Sequence, residues 1–140
     1  MCLSLPALDN LVRAGKLKAE PRNDVEVGRL LAMARTRLAD ARLASASREG
    51  RFTSAYNAAH AASLAALRWH GYRSESRFMV FQCLAHTVGW PATRWRVLDV
   101  AHQKRNLAEY EGVLEVEESA IKELCALTAE LIADVTKMTA

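Results

Sequence analysis

The sequence predicts an all-α protein: an up-and-down antiparallel helical bundle of about five helices, preceded by a short N-terminal helix. Three observations predict this class. Alanine, leucine and arginine, which all favour helices, dominate the 140 residues. Only six glycines and three prolines interrupt them. Apolar residues recur at the 3.6-residue spacing of an amphipathic helix, and no strand-like alternation of useful length appears. With 51% hydrophobic residues, the chain is too apolar to be disordered.

The N-terminal part of the chain predicts a short helix over residues 7–18 that ends near Gly15. Residues 19–23 are typical of a linker, with Asn23 or Asp24 capping the next helix. We therefore divide the chain into an N-terminal helix and linker, residues 1–23, and a helical bundle, residues 24–140.

Two long helices should follow. The first has an apolar stripe from Val27 and should end near residues 45–47, before a turn at residues 48–50. The second should run from residue 51 to 69 or 70 and stop at Gly71. It is rich in alanine, and small side chains let a neighbouring helix approach closely. We therefore expect this second helix at the centre of the bundle.

Three further helices complete the prediction. One covers residues 75–88 and should bury Phe78, Phe81, Cys83, Leu84 and Val88. The next begins at Ala92 or Thr93, after a break at residues 89–91, and stops at Gly112. The last, about residues 116–138, has the clearest stripe, formed by Ile121, Leu124, Cys125, Thr128, Leu131, Ile132, Val135 and Met138.

Charge and composition exclude several classes of protein. No apolar run approaches the ~20 residues that cross a bilayer, and the N-terminus lacks the basic start of a secretory signal, so we expect a cytoplasmic protein without a membrane partner. Cys2, Cys83 and Cys125 are too widely spaced to indicate a disulfide framework or a zinc site. No His, Glu or Asp spacing predicts a metal site, and no cofactor is expected. The net charge of +3 is only weakly favourable to nucleic acid.

The helix over residues 92–111 has a polar arc that offers two interpretations. On a helical wheel the arc contains Asp99, His102, Arg105, Asn106 and Glu109, with Tyr110 at its margin and Trp95 and Leu98 above it. The opposite arc contains Val97, Val100, Ala101, Leu107 and Ala108. The arc is either a solvated surface with an ion pair worth a few tenths of a kcal/mol, or a phosphodiester site.

In the site interpretation, the fork of Arg105 grips phosphate and His102 moves a proton. Asn106 adds a hydrogen bond, and Glu109 orients Arg105 or His102. His60, in the alanine-rich helix, is either a core histidine or a second wall of the same cleft.

Two segments resemble the HEPN superfamily of helical-bundle domains. Residues 51–62, with the aromatic and small residues that follow, are similar to the family's alanine-rich early helix. Residues 105–110, Arg-Asn-Leu-Ala-Glu-Tyr, resemble its late-helix motif of an arginine, a polar residue and then a histidine. The similarity covers roughly residues 24–138. Arg105 matches the family arginine and Asn106 the polar residue, whereas Tyr110 stands at the histidine position.

The resemblance implies three alternatives for function. Many HEPN proteins are metal-independent ribonucleases, often toxins of toxin–antitoxin pairs, that act as dimers whose motifs meet in one cleft. Others bind nucleotides or nucleic acid, or act as partners of a nucleotidyltransferase. Because Tyr110 replaces the histidine, we favour a homodimeric binding or regulatory module that acts with a nucleotidyltransferase or antitoxin, or binds nucleotide or RNA. The alternatives are a metal-independent endoribonuclease using Arg105, His102 and Tyr110, and a structural bundle without a site.

Overall fold

A computed structural model describes residues 5–112 and 115–140 and confirms the all-α class. In chain order its elements are α1 Pro6–Arg13, β1 Lys18–Ala19, α2 Asp24–Ala41, α3 Arg48–Trp69, β2 Tyr72–Arg73, α4 Arg77–Gln82, α5 Leu84–Thr87, α6 Ala92–Glu111 and α7 Glu118–Met138. The two strands form an antiparallel ladder in which Lys18 pairs with Arg73 and Ala19 with Tyr72. In the described ranges, no helix is long and apolar enough to span a membrane.

The alanine-rich helix α3 lies at the centre of the bundle, as its composition predicts. It packs against α2 and α7 most extensively, and against α4, α5, α6 and β2 as well. Its small side chains are fully or almost fully buried, so the neighbouring helix axes can approach closely. The buried alanines of α3 are Ala55, Ala58, Ala59, Ala61, Ala62, Ala65 and Ala66.

Several helix boundaries differ from the expectation. Residues 48–50 form the first turn of α3 rather than a loop, because the Ser47 side chain caps the helix by accepting from the Gly50 N–H at 3.0 Å. The expected helix over residues 75–88 is two short helices that meet at Cys83. Phe78 is 42% exposed rather than part of the core, and its ring covers buried Trp95 edge-on from the outside.

The core otherwise follows the predicted stripes. In α7, every residue of the predicted stripe is buried except Met138, which is partly exposed. Cys83 and Cys125 are buried free thiols, while Cys2 lies outside the described residues.

The N-terminal segment is attached to the bundle by apolar packing and by a buried arginine. Leu8 and Leu17 are buried in a cluster with Leu67 and Val80. Arg68 is 1% exposed. Its guanidinium pairs with a carboxylate and donates to backbone carbonyl oxygens of the segment joining β1 to α2.

We call Arg68 and its ionic partners the Arg68 cluster. The cluster comprises Arg68, Arg73, Glu20 and Glu26, because each arginine pairs with both carboxylates.

The structure decides which side of α6 faces the bundle. Of the five residues on its apolar arc, only Ala101 is buried, whereas Val100 is 60% and Leu107 56% exposed. The inward stripe instead begins with Trp95 and Leu98, and the same stripe continues with polar residues toward the end of the helix. As predicted, α6 ends at Gly112, whose φ of 77° is readily adopted only by glycine. On the inward stripe, His102 and Arg105 are partly buried, whereas Asn106 and Glu109 are exposed.

Candidate functional site: a polar cluster between α3, α4 and α6

Tyr56 is the centre of a polar cluster formed where α6 crosses α3. The side chain is fully buried, and its hydroxyl lies 2.8 Å from Nδ1 of His102. The two rings are nearly parallel, with centroids 5.8 Å apart. Alanines precede and follow Tyr56 along α3, and they leave room for one large ring between the helices.

Two arginines from different helices lie close to the Tyr56 ring. Arg77, the first residue of α4, donates from Nη1 to the Tyr56 hydroxyl oxygen at 3.0 Å, and its guanidinium carbon is 5.3 Å from the ring centroid. The guanidinium carbon of Arg105, on α6, is 5.5 Å from the same centroid. Both separations are within the range of a cation–π interaction. The fold thus places two permanent cations beside one aromatic ring.

The other polar side chains of α6 extend this arrangement. The Asn106 amide nitrogen lies 3.2 Å from Nε2 of His102, and Arg105 pairs with Glu109 at 3.0 Å. Asp99, which is 8% exposed, accepts from the Gln103 amide at 2.8 Å and lies near enough to His102 to favour its charged form.

On α3, His60 is partly buried and packs edge-on against Phe81. We use the name Tyr56 cluster for the following seven residues: Tyr56, His60, Arg77, His102, Arg105, Asn106 and Glu109.

Burial keeps the titratable rings of the cluster neutral near pH 7. Burial, with smaller contributions from Arg77 and His102, lowers the pKa of His60 to about 4. Burial also lowers the pKa of His102; Asp99 opposes this shift, and Arg77 and Arg105 add to it. The pKa of Tyr56 is raised, mainly by burial. The positive charge of the cluster therefore comes from its two guanidinium groups.

The charge of these guanidinium groups is only partly compensated. Glu109 pairs with Arg105, whereas no carboxylate of the described residues lies within ion-pair distance of Arg77. Arg105 also lines an open depression of about 370 Å³ between the first half of α3 and the end of α6. Its other lining residues are Glu49, Thr53, Ala108, Glu109 and Gly112. Arg105 is therefore open to solvent on this side, next to the carboxylates of Glu49 and Glu109.

The structure brings together most of the residues that the sequence singles out. His102, Arg105, Asn106 and Glu109 lie in one cluster, and His60 is close enough to His102 for a charge on His102 to lower its pKa. Tyr110 is 93% exposed and makes no contact with the cluster among the described residues. Among all the residues that the structure describes, no group of three His, Cys, Asp or Glu side chains is arranged to hold a metal ion.

Sequence reasoning missed Tyr56 and Arg77 as site residues. Tyr56 lies in the segment that resembles the HEPN early helix, so a signal was present, although its pairing with His102 joins positions 46 residues apart. Arg77 had no local signal, because its approach to Tyr56 depends on how α4 packs against α3.

Comparisons of the chain with protein-family models, curated proteins and solved structures find no match. The relationship to HEPN domains stays a prediction from the sequence.

Proposed function

We propose that this protein is a HEPN-like binding or regulatory module whose Tyr56 cluster binds the phosphate of a nucleotide or of RNA. One observation supports the proposal above all others. Arg77 and Arg105 are held beside the same buried ring, and only Arg105 has a carboxylate partner among the described residues. A guanidinium presents a planar fork of N–H donors that matches the oxygens of phosphate, and two such groups can hold one anion.

The surroundings of His102 favour binding over cleavage. Both of its ring nitrogens have partners, Tyr56 at Nδ1 and Asn106 at Nε2. A general base needs a free lone pair within reach of the proton that it removes. Tyr110, which stands at the family's histidine position, is exposed and outside the cluster. The alternative function, metal-independent RNA cleavage, requires His102 to exchange one of these partners for substrate.

Glu109 should act as an internal competitor of the ligand. Its carboxylate occupies Arg105 at 3.0 Å and is 63% exposed, so it can swing into solvent at little energetic cost. A phosphate that binds Arg105 must displace it. We therefore expect the affinity for phosphate to be moderate and to depend on salt.

The proposal is tested by titrating the full chain with inorganic phosphate, ATP and a fluorescent single-stranded RNA. Arg77→Ala and Arg105→Ala should each weaken binding roughly tenfold or more, because hydrogen bonds to charged groups contribute about 1.5–3 kcal/mol. Arg96→Ala is the matched control, since Arg96 also lies on α6 beside an aromatic ring, that of Trp95, but outside the cluster. Absence of binding by the wild type, or an equal loss in the control, would reject the proposal.

The same proteins, incubated with RNA and EDTA, test the alternative. Cleavage by the wild type that is lost in Arg105→Ala would identify a metal-independent endoribonuclease. RNA that is bound but remains intact would support the binding module.

We also propose that a second copy of the chain binds the outward face of α6. Val97, Val100, Lys104 and Leu107 follow a three-and-four spacing along this face, which is typical of helices that pair. Lys104 and Glu123 line a groove of about 290 Å³ between α6 and α7, so two copies can exchange complementary charges. Val100 and Leu107 point away from Arg105 on the helical wheel. A dimer on this face would therefore keep its two Tyr56 clusters apart, instead of joining them in one cleft.

The oligomeric state tests this second proposal. Light scattering coupled to size exclusion should report a dimer for the wild type and a monomer for Leu107→Lys, with Leu43→Lys as a control at another exposed leucine. A wild type that stays monomeric at high concentration would reject the homodimer. A nucleotidyltransferase or antitoxin would then be the partner that the resemblance predicts.

A further inference from the structure

The hydrogen bonds around Tyr56 have a definite direction. A guanidinium only donates, so Arg77 donates and the Tyr56 oxygen accepts. The phenol still has its own proton to donate. Within the described residues, the remaining partner of this hydroxyl is Nδ1 of His102, at 2.8 Å. Tyr56 is fully buried, so water is not available as a substitute acceptor. The phenol proton therefore points to Nδ1.

A ring nitrogen that accepts a hydrogen bond cannot also carry a proton. If Nδ1 accepts from Tyr56, the proton of neutral His102 resides on Nε2. In the opposite arrangement, Nδ1–H would donate to Tyr56, whose oxygen would then accept twice while its own proton was buried without a partner. Buried polar groups rarely lack a partner, so this arrangement is disfavoured.

Asn106 can adapt to either arrangement, whereas Tyr56 cannot. The Asn106 amide nitrogen is placed 3.2 Å from Nε2, and two donors cannot face each other there. Asn106 is exposed, so a half-turn of its amide presents the oxygen to Nε2–H while the nitrogen bonds to water. The buried phenol has no such freedom. Tyr56, rather than Asn106, therefore decides which nitrogen of His102 carries the proton.

We infer that Tyr56 is a positioning residue: it holds His102 in the Nε2–H tautomer, so that the imidazole offers a neutral N–H donor to the anion bound by Arg105. The Nε2 side faces exposed Asn106, one helical turn from His102. A phosphate oxygen that replaces the Asn106 oxygen would accept from Nε2–H. The role toward the anion rests on the proposed function, whereas the tautomer does not.

The charged groups around His102 agree with a neutral ring. From α3, His60 is itself neutral near pH 7 and Tyr56 is protonated. From α4, the positive charge of Arg77 opposes protonation of His102. On α6, Arg105 opposes protonation and Asp99 favours it, while Glu109 pairs with Arg105. Near pH 7.5 the donor that His102 offers to phosphate is therefore the neutral Nε2–H, and not an imidazolium.

Long-range ¹H–¹⁵N NMR of the full chain measures the tautomer without any ligand. The chain has four histidines, and the His102 signals are those that disappear in His102→Gln. We expect a protonated Nε2 and an unprotonated Nδ1 at pH 7.5. In Tyr56→Phe both nitrogens should shift toward values of a tautomer mixture, and the pKa of His102 should rise. Tyr72→Phe is the matched control, because it removes another buried phenol, one that bonds to Asp9.

Two results would overturn the inference. One is a wild-type His102 that is protonated on Nδ1, which can be read even if Tyr56→Phe does not fold. The other is a folded Tyr56→Phe protein whose His102 nitrogen shifts match those of the wild type. Adding inorganic phosphate to the same samples tests the proposed function separately. Unperturbed signals would reject phosphate binding at the cluster, while the tautomer measured beforehand would stand.

Discussion

Helix α3 supports two polar clusters, one around Arg68 and one around Tyr56, and they differ in how completely their charges are compensated. Arg68 donates to Glu26 and to the carbonyl oxygens of Glu20, Pro21 and Tyr72, so its nitrogens face acceptors in several directions. In the Tyr56 cluster, among the described residues, Arg105 pairs with one carboxylate and Arg77 donates to one phenol oxygen. A cation surrounded by protein acceptors stabilises a fold, whereas cations with few protein acceptors can bind an anion.

The location of the two clusters agrees with this difference. The Arg68 cluster joins β2 and the end of α3 to the segment that precedes α2, so it connects parts of the chain that are distant in sequence. The Tyr56 cluster lies beside an open depression that Arg105 helps to line. Substitutions in the first cluster should therefore reduce stability, and those in the second should mainly change binding.

Arg68→Ala should produce the largest effect. It would leave three backbone carbonyl oxygens without their buried donor and Glu26 with Arg73 as its remaining cation, so we expect a loss of about 3 kcal/mol or more. Urea unfolding followed by circular dichroism measures the change. Arg105→Ala is the comparison variant and should lose less than about 1 kcal/mol, since Glu109, its ion-pair partner, is 63% exposed. Similar losses in the two variants would contradict the distinction between the clusters.

Lowering the pH should reduce the stability of the protein through His60, a member of the Tyr56 cluster. The folded pKa of His60 is about 4, below its unfolded value, so the unfolded state takes up a proton first as the pH falls. Stability should consequently decrease from about pH 6.5 toward pH 4 and then level off as far as this residue is concerned. Between pH 7 and 5, wild-type protein should lose roughly 1–2 kcal/mol more than His60→Gln.

His86→Gln, at an exposed histidine, is the control for this experiment and should retain the wild-type dependence on pH. A wild-type protein whose stability does not change between pH 7 and 5 would contradict the burial of a neutral His60.

The Arg68 cluster should respond at lower pH. Hydrogen bonds from Arg68 and Arg73 lower the pKa of Glu26, so its stabilising contribution is present above the ordinary carboxyl pKa and is lost as the pH falls through the lowered value.

Glu109→Gln should change stability least, and it should strengthen phosphate binding rather than weaken it. Loss of an exposed i,i+4 pair changes stability by about 0.3–0.5 kcal/mol. The substitution removes the carboxylate that competes for Arg105, so phosphate should bind a few-fold more tightly. Isothermal titration with inorganic phosphate measures this gain, and Glu111→Gln, at the exposed end of the same helix, is the control. Weaker binding by Glu109→Gln would show instead that the carboxylate positions Arg105 for the ligand.

Local sequence signals determined the order of the long helices of this protein, although they missed the break at Cys83 and the end of α2 at Ala41. The stripe from Ile121 to Val135 is buried as predicted, and α6 stops at Gly112, because period and capping depend on residues within a few positions of each other. The alanine content of α3 likewise predicted its central place. The same signals placed His102, Arg105, Asn106 and Glu109 on one arc of α6.

Only the tertiary structure decided which side of α6 lies against the bundle. The wheel defined two arcs and left open which of them packs inward. In the structure Val100 and Leu107 are exposed, and the stripe that begins with Trp95 and Leu98 packs inward. Helical period defines two sides of a helix, but the surfaces of α3 and α4 select between them. The approach of Arg77 to Tyr56 and the burial of Arg68 also depend on contacts between segments that are distant in sequence. No local sequence pattern encodes the energies of such contacts.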